Sequence, residues 1–316
     1  MRIVGIALLT AALVAAVLIL IAYERDIRAA RERVATGSQI AQTPCGPIEY
    51  ASLGSGPALL VVHGAGGGFD QALDMAAPFV ASGLRVVLMS RFGYLRTPLP
   101  SDASPAAQAD AHACLLDALK IERAAILGAS AGAPSALQFA LRHGARCSAV
   151  VLLVPAAYAP RPGDTGPLKT PRGTPLLFET VLRSDFLLWT IIRLAPRTVM
   201  RSILATPPEV VSRAPAEEQE RIARVMAAIL PVSPRRLGLL NDANVIARLG
   251  RYDLERITAP TLAISAADDL FGTYETARYS AEHIPGARFI GYDTGGHLWV
   301  GHHREILAAI AAFLKR

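Results

Sequence analysis

Residues 124–143, AAILGASAGAPSALQFALRH, leave the chain few folds to choose from. A short apolar run, read as a buried strand, turns directly into a helix, and Gly128, Ala129, Ser130, Ala131 and Gly132 make the turn. Strand and helix backbones approach closely across so tight a bend, so the positions two residues to either side of the serine must be tiny. Gly128 and Gly132 meet that need, and Ala129 and Ala131 add little bulk. Pro134 falls in the first helical turn, where a missing N–H is harmless. A strand feeding a helix this directly is the unit of a mostly parallel sheet covered by helices.

The same alternation runs along the rest of the 316 residues, a length that suits one large α/β domain with an insertion. Strands are expected over 48–53, 58–62, 84–89, 124–127, 149–154, 261–265 and 288–291, and helices over 71–82, 104–120, 131–143 and 274–284. A last helix carries Ile306, Leu307, Ile310, Phe313 and Leu314 on one face. Helices then cover both faces of the sheet, with an antiparallel hairpin at its start. Between Pro155 and Pro260 the pattern breaks into proline-rich loops and helix-like apolar stretches without strands. Residues 156–259 read as a helical cap over the edge where active sites of open α/β sheets lie. The core is then 47–155 with 260–316, and 160–175 is too poor in apolar residues to pack, so a mobile access loop is expected there.

Hydrophobic residues make up 52% of the chain, more than a soluble core needs, and residues 3–22 explain the excess. They hold no charge over 20 residues, the length of a bilayer-crossing helix. Residues 1–23 read as a membrane anchor and not a cleaved secretory signal, because the apolar run is too long and the following Tyr23, Glu24, Arg25 and Asp26 are no small-residue cleavage site. Arg25, Arg28, Arg31 and Arg33 outnumber Arg2 across it, which favours a cytoplasmic catalytic domain. Residues 24–46 form a charged connector, helical or loose, that the cluster Thr43, Pro44, Cys45, Gly46, Pro47 terminates. The net charge of +6 comes from scattered arginines without aromatic interleaving, so nucleic acid is not an expected partner. Cys45, Cys114 and Cys147 lack metal-ligand spacing and read as buried thiols, not a disulfide framework.

A serine hydroxyl is a poor nucleophile at neutral pH and needs a positioned base. Of the seven histidines, His297 sits in a glycine turn after the final strand and before the final helix, where its ring can swing over the sheet edge. The base needs an acid to hold its tautomer, and Asp268 and Asp269 follow the strand TLAIS at the right place in the order Ser, Asp, His. Only one can face the histidine; Asp269 is preferred and Asp268 is second. An oxyanion needs preorganised N–H donors, one from Ala131 and one from the loop after the strand at 58–62. That loop, His63-Gly64-Ala65-Gly66-Gly67-Gly68, offers Ala65, with Gly64 and Gly66 as near alternatives. It lacks the lysine and glycine order of a phosphate cradle, and His63 reads as a loop-shaping residue.

HGAGGG after a strand, GASAG at the turn, SAADD after a late strand and GGH before the last helix together resemble the α/β-hydrolase superfamily, over about residues 47–316. The resemblance implies an α/β-hydrolase fold and hydrolysis of ester, thioester, amide or carbon–carbon bonds through an acyl-serine, without cofactor or metal. A serine nucleophile disfavours haloalkane dehalogenase and epoxide hydrolase chemistry, which use aspartate. HGAGGG in place of HGGGPG disfavours the meta-cleavage-product hydrolases. What remains is an esterase-like enzyme acting on an apolar small-molecule ester, with a non-catalytic small-ligand receptor or scaffold as the alternative. In such folds Arg91, Phe92 and Tyr94 lie near the pocket rim and are candidate substrate contacts. Phe178, Phe186 and Trp189 recur at helical spacing and read as cap core.

Overall fold

A computed structural model describes residues 2–160 and 179–315. Eight strands among them form one sheet: β1 Gln39–Thr43, β2 Gly46–Leu53, β3 Ala58–Val62, β4 Arg85–Met89, β5 Ala124–Ala129, β6 Cys147–Leu153, β7 Thr261–Ala266 and β8 Arg288–Tyr292. Their order across it is β1-β2-β4-β3-β5-β6-β7-β8. β3 to β8 run parallel, while β1 and β2 are antiparallel to their neighbours.

Side chains alternate across a strand, so each apolar strand supplies two cores. In β3, Leu60 and Val62 face the core built with α3 (Pro105–Ala118) and α4 (Ala133–Arg142), where Leu115, Leu116, Leu137 and Phe139 are buried. Leu59 and Val61 face the other, built with α2 (Leu73–Ala81), where Phe79 is buried. β3 is buried along its whole length, which is why it reads as a continuous apolar run and not an alternating one. Between β6 and β7 the cap holds α5 (Asp185–Leu194), α6 (Pro196–Ser202), α7 (Pro208–Arg213), α8 (Ala216–Ala227) and α9 (Arg236–Ile246). α10 (Thr273–His283) packs with the first core, and α11 (His303–Leu314) with the second through the apolar stripe expected of it. The access loop expected at 160–175 lies, beyond Pro160, outside the described residues.

The amino-terminal region holds one outcome among those expected and one correction. First, of the two forms expected of the connector, the helical one is found as far as Ala35. α1 (Arg2–Ala35) runs on without interruption past the apolar segment, and β1 adds an edge strand that pairs with β2. Ile27 and Ala30, three apart and so on one face of the charged half of the helix, are buried in one cluster with Leu188, Trp189 and Val232 of the cap region.

Second, Cys45 and Cys114 form a disulfide, with Cα atoms 6.1 Å apart, and only Cys147 is a free, buried thiol. Cys45 lies in the turn joining β1 to β2 and Cys114 on α3. The two meet because that hairpin folds over the helix, a proximity no spacing in the chain encodes.

Candidate active site

β3, β5, β7 and β8 end at the same sheet edge, and each delivers one part of the site. At the end of β5, Ser130 has φ +47°, the left-handed region that non-glycine residues rarely enter, at a cost of about 1–2 kcal/mol. The flanking glycines explain how the bend is tolerated. A Cβ on Gly132 would lie 2.4 Å from the Val62 carbonyl oxygen, and one on Gly128 would lie 2.7 Å from the Ala136 Cβ. Both contacts are too short for any side chain, so the elbow requires glycine at both places.

The Ser130 Oγ lies 2.9 Å from His297 Nε2, and His297 Nδ1 lies 2.7 Å from an Asp269 carboxylate oxygen. Asp269 is buried and further held by Thr273 Oγ1 and by the Phe271 amide at 2.8 Å, which leaves it one orientation. The neighbouring Asp268 accepts instead from the Gly296 amide at 2.7 Å and so pins the turn that carries the histidine. Two adjacent carboxylates therefore have two separate tasks, orienting the ring and orienting its loop. The ring of Phe271 meets that of His297 edge-on, with centroids 5.0 Å apart.

The cap contributes directly to this arrangement. The Ala205 carbonyl accepts from the Leu270 amide at 3.0 Å and the His297 amide at 3.3 Å, tying the acid loop to the histidine loop. Thr206 Oγ1 accepts from the Leu298 amide at 3.2 Å. Neither residue carries a pattern by which sequence reading could find it; each acts through its place in space.

In the glycine loop, the Gly64 amide donates to Gln71 Oε1 at 3.0 Å and the Gly66 amide to Tyr94 Oη at 3.2 Å. No partner engages the Ala65 amide among the described residues, and Ala65 is exposed. His63 shapes the loop as expected: its Nε2 accepts from the Arg91 amide at 3.0 Å. Arg91 and Tyr94, expected at the pocket rim, are instead buried, at 5% and 0% exposure. Arg91 forms a bidentate pair with Asp242 of α9 at 2.6 and 2.7 Å, and the Tyr94 hydroxyl donates to the same carboxylate. They fasten cap to loop and leave no surface for a substrate; Phe92 is buried as well. Of the cap aromatics, Trp189 is buried, Phe186 is 40% exposed, and Phe178 lies outside the described residues.

Two further histidines are buried as neutral rings. His112 bonds Ser135 Oγ at 3.0 Å, and burial pushes its pKa down to about 3. His63 is likewise driven well below its ordinary value, by burial and then by the nearby Arg91 charge. With both lowered in the folded state, the unfolded chain binds protons that the fold excludes once the pH drops below 6.5. Stability from these rings is complete above that pH and is lost at about 1.4 kcal/mol per unit for each as the pH falls toward their folded values. Urea unfolding at pH 7.5 and 5.5 should show the loss, and His112→Gln should remove one proton's share of it.

A family model described as the alpha/beta hydrolase fold matches residues 57–300, and the chain belongs to that family. It is a hydrolase of this fold. An alpha/beta hydrolase fold protein from Nakamurella multipartita superposes with a TM-score of 0.68 at 31% identity, covering 88% of this chain and 99% of its own. YcgS of Bacillus subtilis (strain 168), an uncharacterized hydrolase, is 26% identical over 265 residues, 81% of this chain and 90% of that one. The 2-hydroxy-6-oxo-6-phenylhexa-2,4-dienoate hydrolase of Comamonas testosteroni is 33% identical over 125 residues, 36% of this chain and 44% of that enzyme.

Proposed function

We propose that the protein is a serine hydrolase that cleaves a carboxylic ester of an apolar small molecule through an acyl-serine. The observation that carries this is the continuous chain from Ser130 Oγ through His297 to Asp269, with links of 2.9 and 2.7 Å. In the first step the Ser130 oxygen bonds to the carbonyl carbon and its proton passes to His297 Nε2, while Asp269 stabilises the imidazolium. The displaced C=O electrons form an oxyanion, which the Ala131 amide and the unengaged Ala65 amide are suited to receive. Collapse of that intermediate expels the alcohol, protonated by His297. Water then repeats the sequence on the acyl-serine and releases the carboxylic acid.

A fluorophosphonate probe should label Ser130 in the purified protein, and a series of p-nitrophenyl esters should show which chain length is turned over fastest. A folded protein that neither reacts with the probe nor turns over any ester would favour the receptor alternative. Carbon–carbon bond hydrolysis is the second reading, favoured by the partial match to the dienoate hydrolase. Turnover of such a dienoate faster than of every ester would install it instead.

The apolar half of α1 supports a membrane anchor: its large side chains from Ile3 to Ile21 are exposed, and the helix is long and apolar enough to span a bilayer. For the side of the membrane, the arginine count points to the cytoplasm and the disulfide points away from it. The disulfide weighs more, since cytosolic reductants keep thiols reduced. Protein taken from intact membranes should therefore resist alkylation at Cys45 and Cys114 until reduced. Reduction should lower unfolding stability by about 2–4 kcal/mol. Free thiols at both positions in freshly quenched cells would return the domain to the cytoplasmic side.

A further inference from the structure

Resting on the reading of α1 as a membrane-spanning anchor, we propose that α1 is a stiff strut that seats the cap on the bilayer surface, so that the site draws its acyl substrate, an amphiphile, from the lipid phase. α1 carries no proline, and its one glycine, Gly5, lies near the start, so the helix has no hinge where it leaves the apolar segment.

Its polar half is clamped. Asp26 accepts from Trp189 Nε1 at 3.0 Å and from Arg193, and the Tyr23 ring meets Phe186 and Trp189 edge-on at 5.0 and 5.6 Å. Arg31 pairs with Asp185 at 3.4 Å, and Arg33 reaches Asp70 at 3.2 Å. Asp70 in turn holds the fully buried Arg235, whose guanidinium also donates to the Gly67 carbonyl of the glycine loop. The strut is thus tied to cap and catalytic loop together.

The register of these contacts sets the orientation. Asp185 lies opposite Arg31, and Trp189 opposite Asp26 and Tyr23, so α5 runs antiparallel to α1 and back toward the apolar segment. Five residues beyond Trp189, about 7.5 Å along the helix, Leu194 stands level with the end of that segment. It is 81% exposed, an exposure out of place in water and suited to a lipid interface. Tyr23 and Trp189 lie at the depth where aromatic rings favour the headgroup region. From Leu194 the chain turns into α6, which is followed directly by the exposed Ile203. Ala205 then binds the loop of Leu270 and Phe271, both exposed, the latter against His297. Leu194, Ile203, Leu270 and Phe271 are thus exposed apolar side chains on the segments between the end of α5 and the loop beside His297.

The test uses the full chain in proteoliposomes. A fluorophore is placed at Leu194→Cys and, as control, at Glu122→Cys, an exposed position just before β5. Cys147 is buried and the other two cysteines are bridged, so the introduced thiol takes the label. Lipids carrying a bromine or doxyl quencher should quench the probe at 194 and not at 122. Leu194→Glu should lower the rate on a long-chain ester dissolved in the vesicles by about fivefold or more, with a short water-soluble ester within about twofold of wild type. Equal quenching at both sites in protein that floats with the liposomes would leave the anchor standing and overturn the strut. Protein that does not float would remove the anchor, and this proposal with it. Equal rate changes on both esters would overturn the lipid-phase substrate. If no ester is hydrolysed at all, the quenching comparison still decides where the cap sits.

Discussion

Ser130→Ala should retain the fold and lose ester hydrolysis by several orders of magnitude in kcat, with little change in KM. In the proposed reaction the oxygen it removes is the atom that bonds to the substrate, and His297, 2.9 Å from it and 2.7 Å from Asp269, is the base that would take its proton. In a serine hydrolase, removal of a triad member leaves only the catalysis supplied by oxyanion donors and binding. His297→Ala should fall almost as far, and the double variant no further than either, because the two residues act as one unit. Ser130 itself sits at φ +47°, so alanine there inherits the strain without the function, and unfolding stability should shift little. Ester turnover by purified Ser130→Ala at more than about a hundredth of the wild-type rate would refute the assigned nucleophile.

Outside Ser130, His297 and Asp269, Asp242→Ala should be the most damaging substitution, and it should act on stability and rate together. It strips the bidentate partner from Arg91, whose side chain is 7% exposed, and an uncompensated buried charge of this kind costs about 3–5 kcal/mol. It also frees the Tyr94 hydroxyl, which accepts from the Gly66 amide and so helps set the position of the neighbouring Ala65 amide. Tyr94→Phe separates the two effects. It removes the tie to the loop while leaving the ion pair, and should lower kcat by about tenfold with a much smaller loss of stability. Urea unfolding and steady-state kinetics on the same preparations read both quantities. Wild-type stability in Asp242→Ala would show that the pair contributes nothing net to the fold.

Much of this site is legible in the chain because its parts are local. The elbow at Gly128–Ser130–Gly132 is a backbone requirement, met within five residues, and a backbone requirement shows in composition. The glycine loop after β3, the late Asp268–Asp269 pair after β7 and His297 after β8 each lie within a few residues of a strand end, so placing the strands placed them too. Choosing between the two aspartates took more. Asp269 faces the ring and Asp268 the Gly296 amide only because the loop turns between them.

The residues read wrongly share one property, that their partners are distant along the chain. Arg91 and Tyr94 look like rim residues until α9 brings Asp242, 151 and 148 residues away, down upon them. Cys45 and Cys114 look like isolated thiols until the first hairpin lies across α3. The charged stretch after the apolar segment was open between helical and loose, and the docking of Ile27 and Ala30 against the cap region shows only once the two have packed.

The amino-acid order by itself determined the alternating strands and helices, the tight serine turn, the order of Ser130, Asp269 and His297 along the chain, and the apolar segment, since periodicity, glycine and local charge act over a few residues. Tertiary structure alone decided which carboxylate meets the imidazole, which buried charges pair, which thiols join, and how α1 is held. Those outcomes depend on distances between segments, and a distance in space is fixed only when every element between two residues has packed.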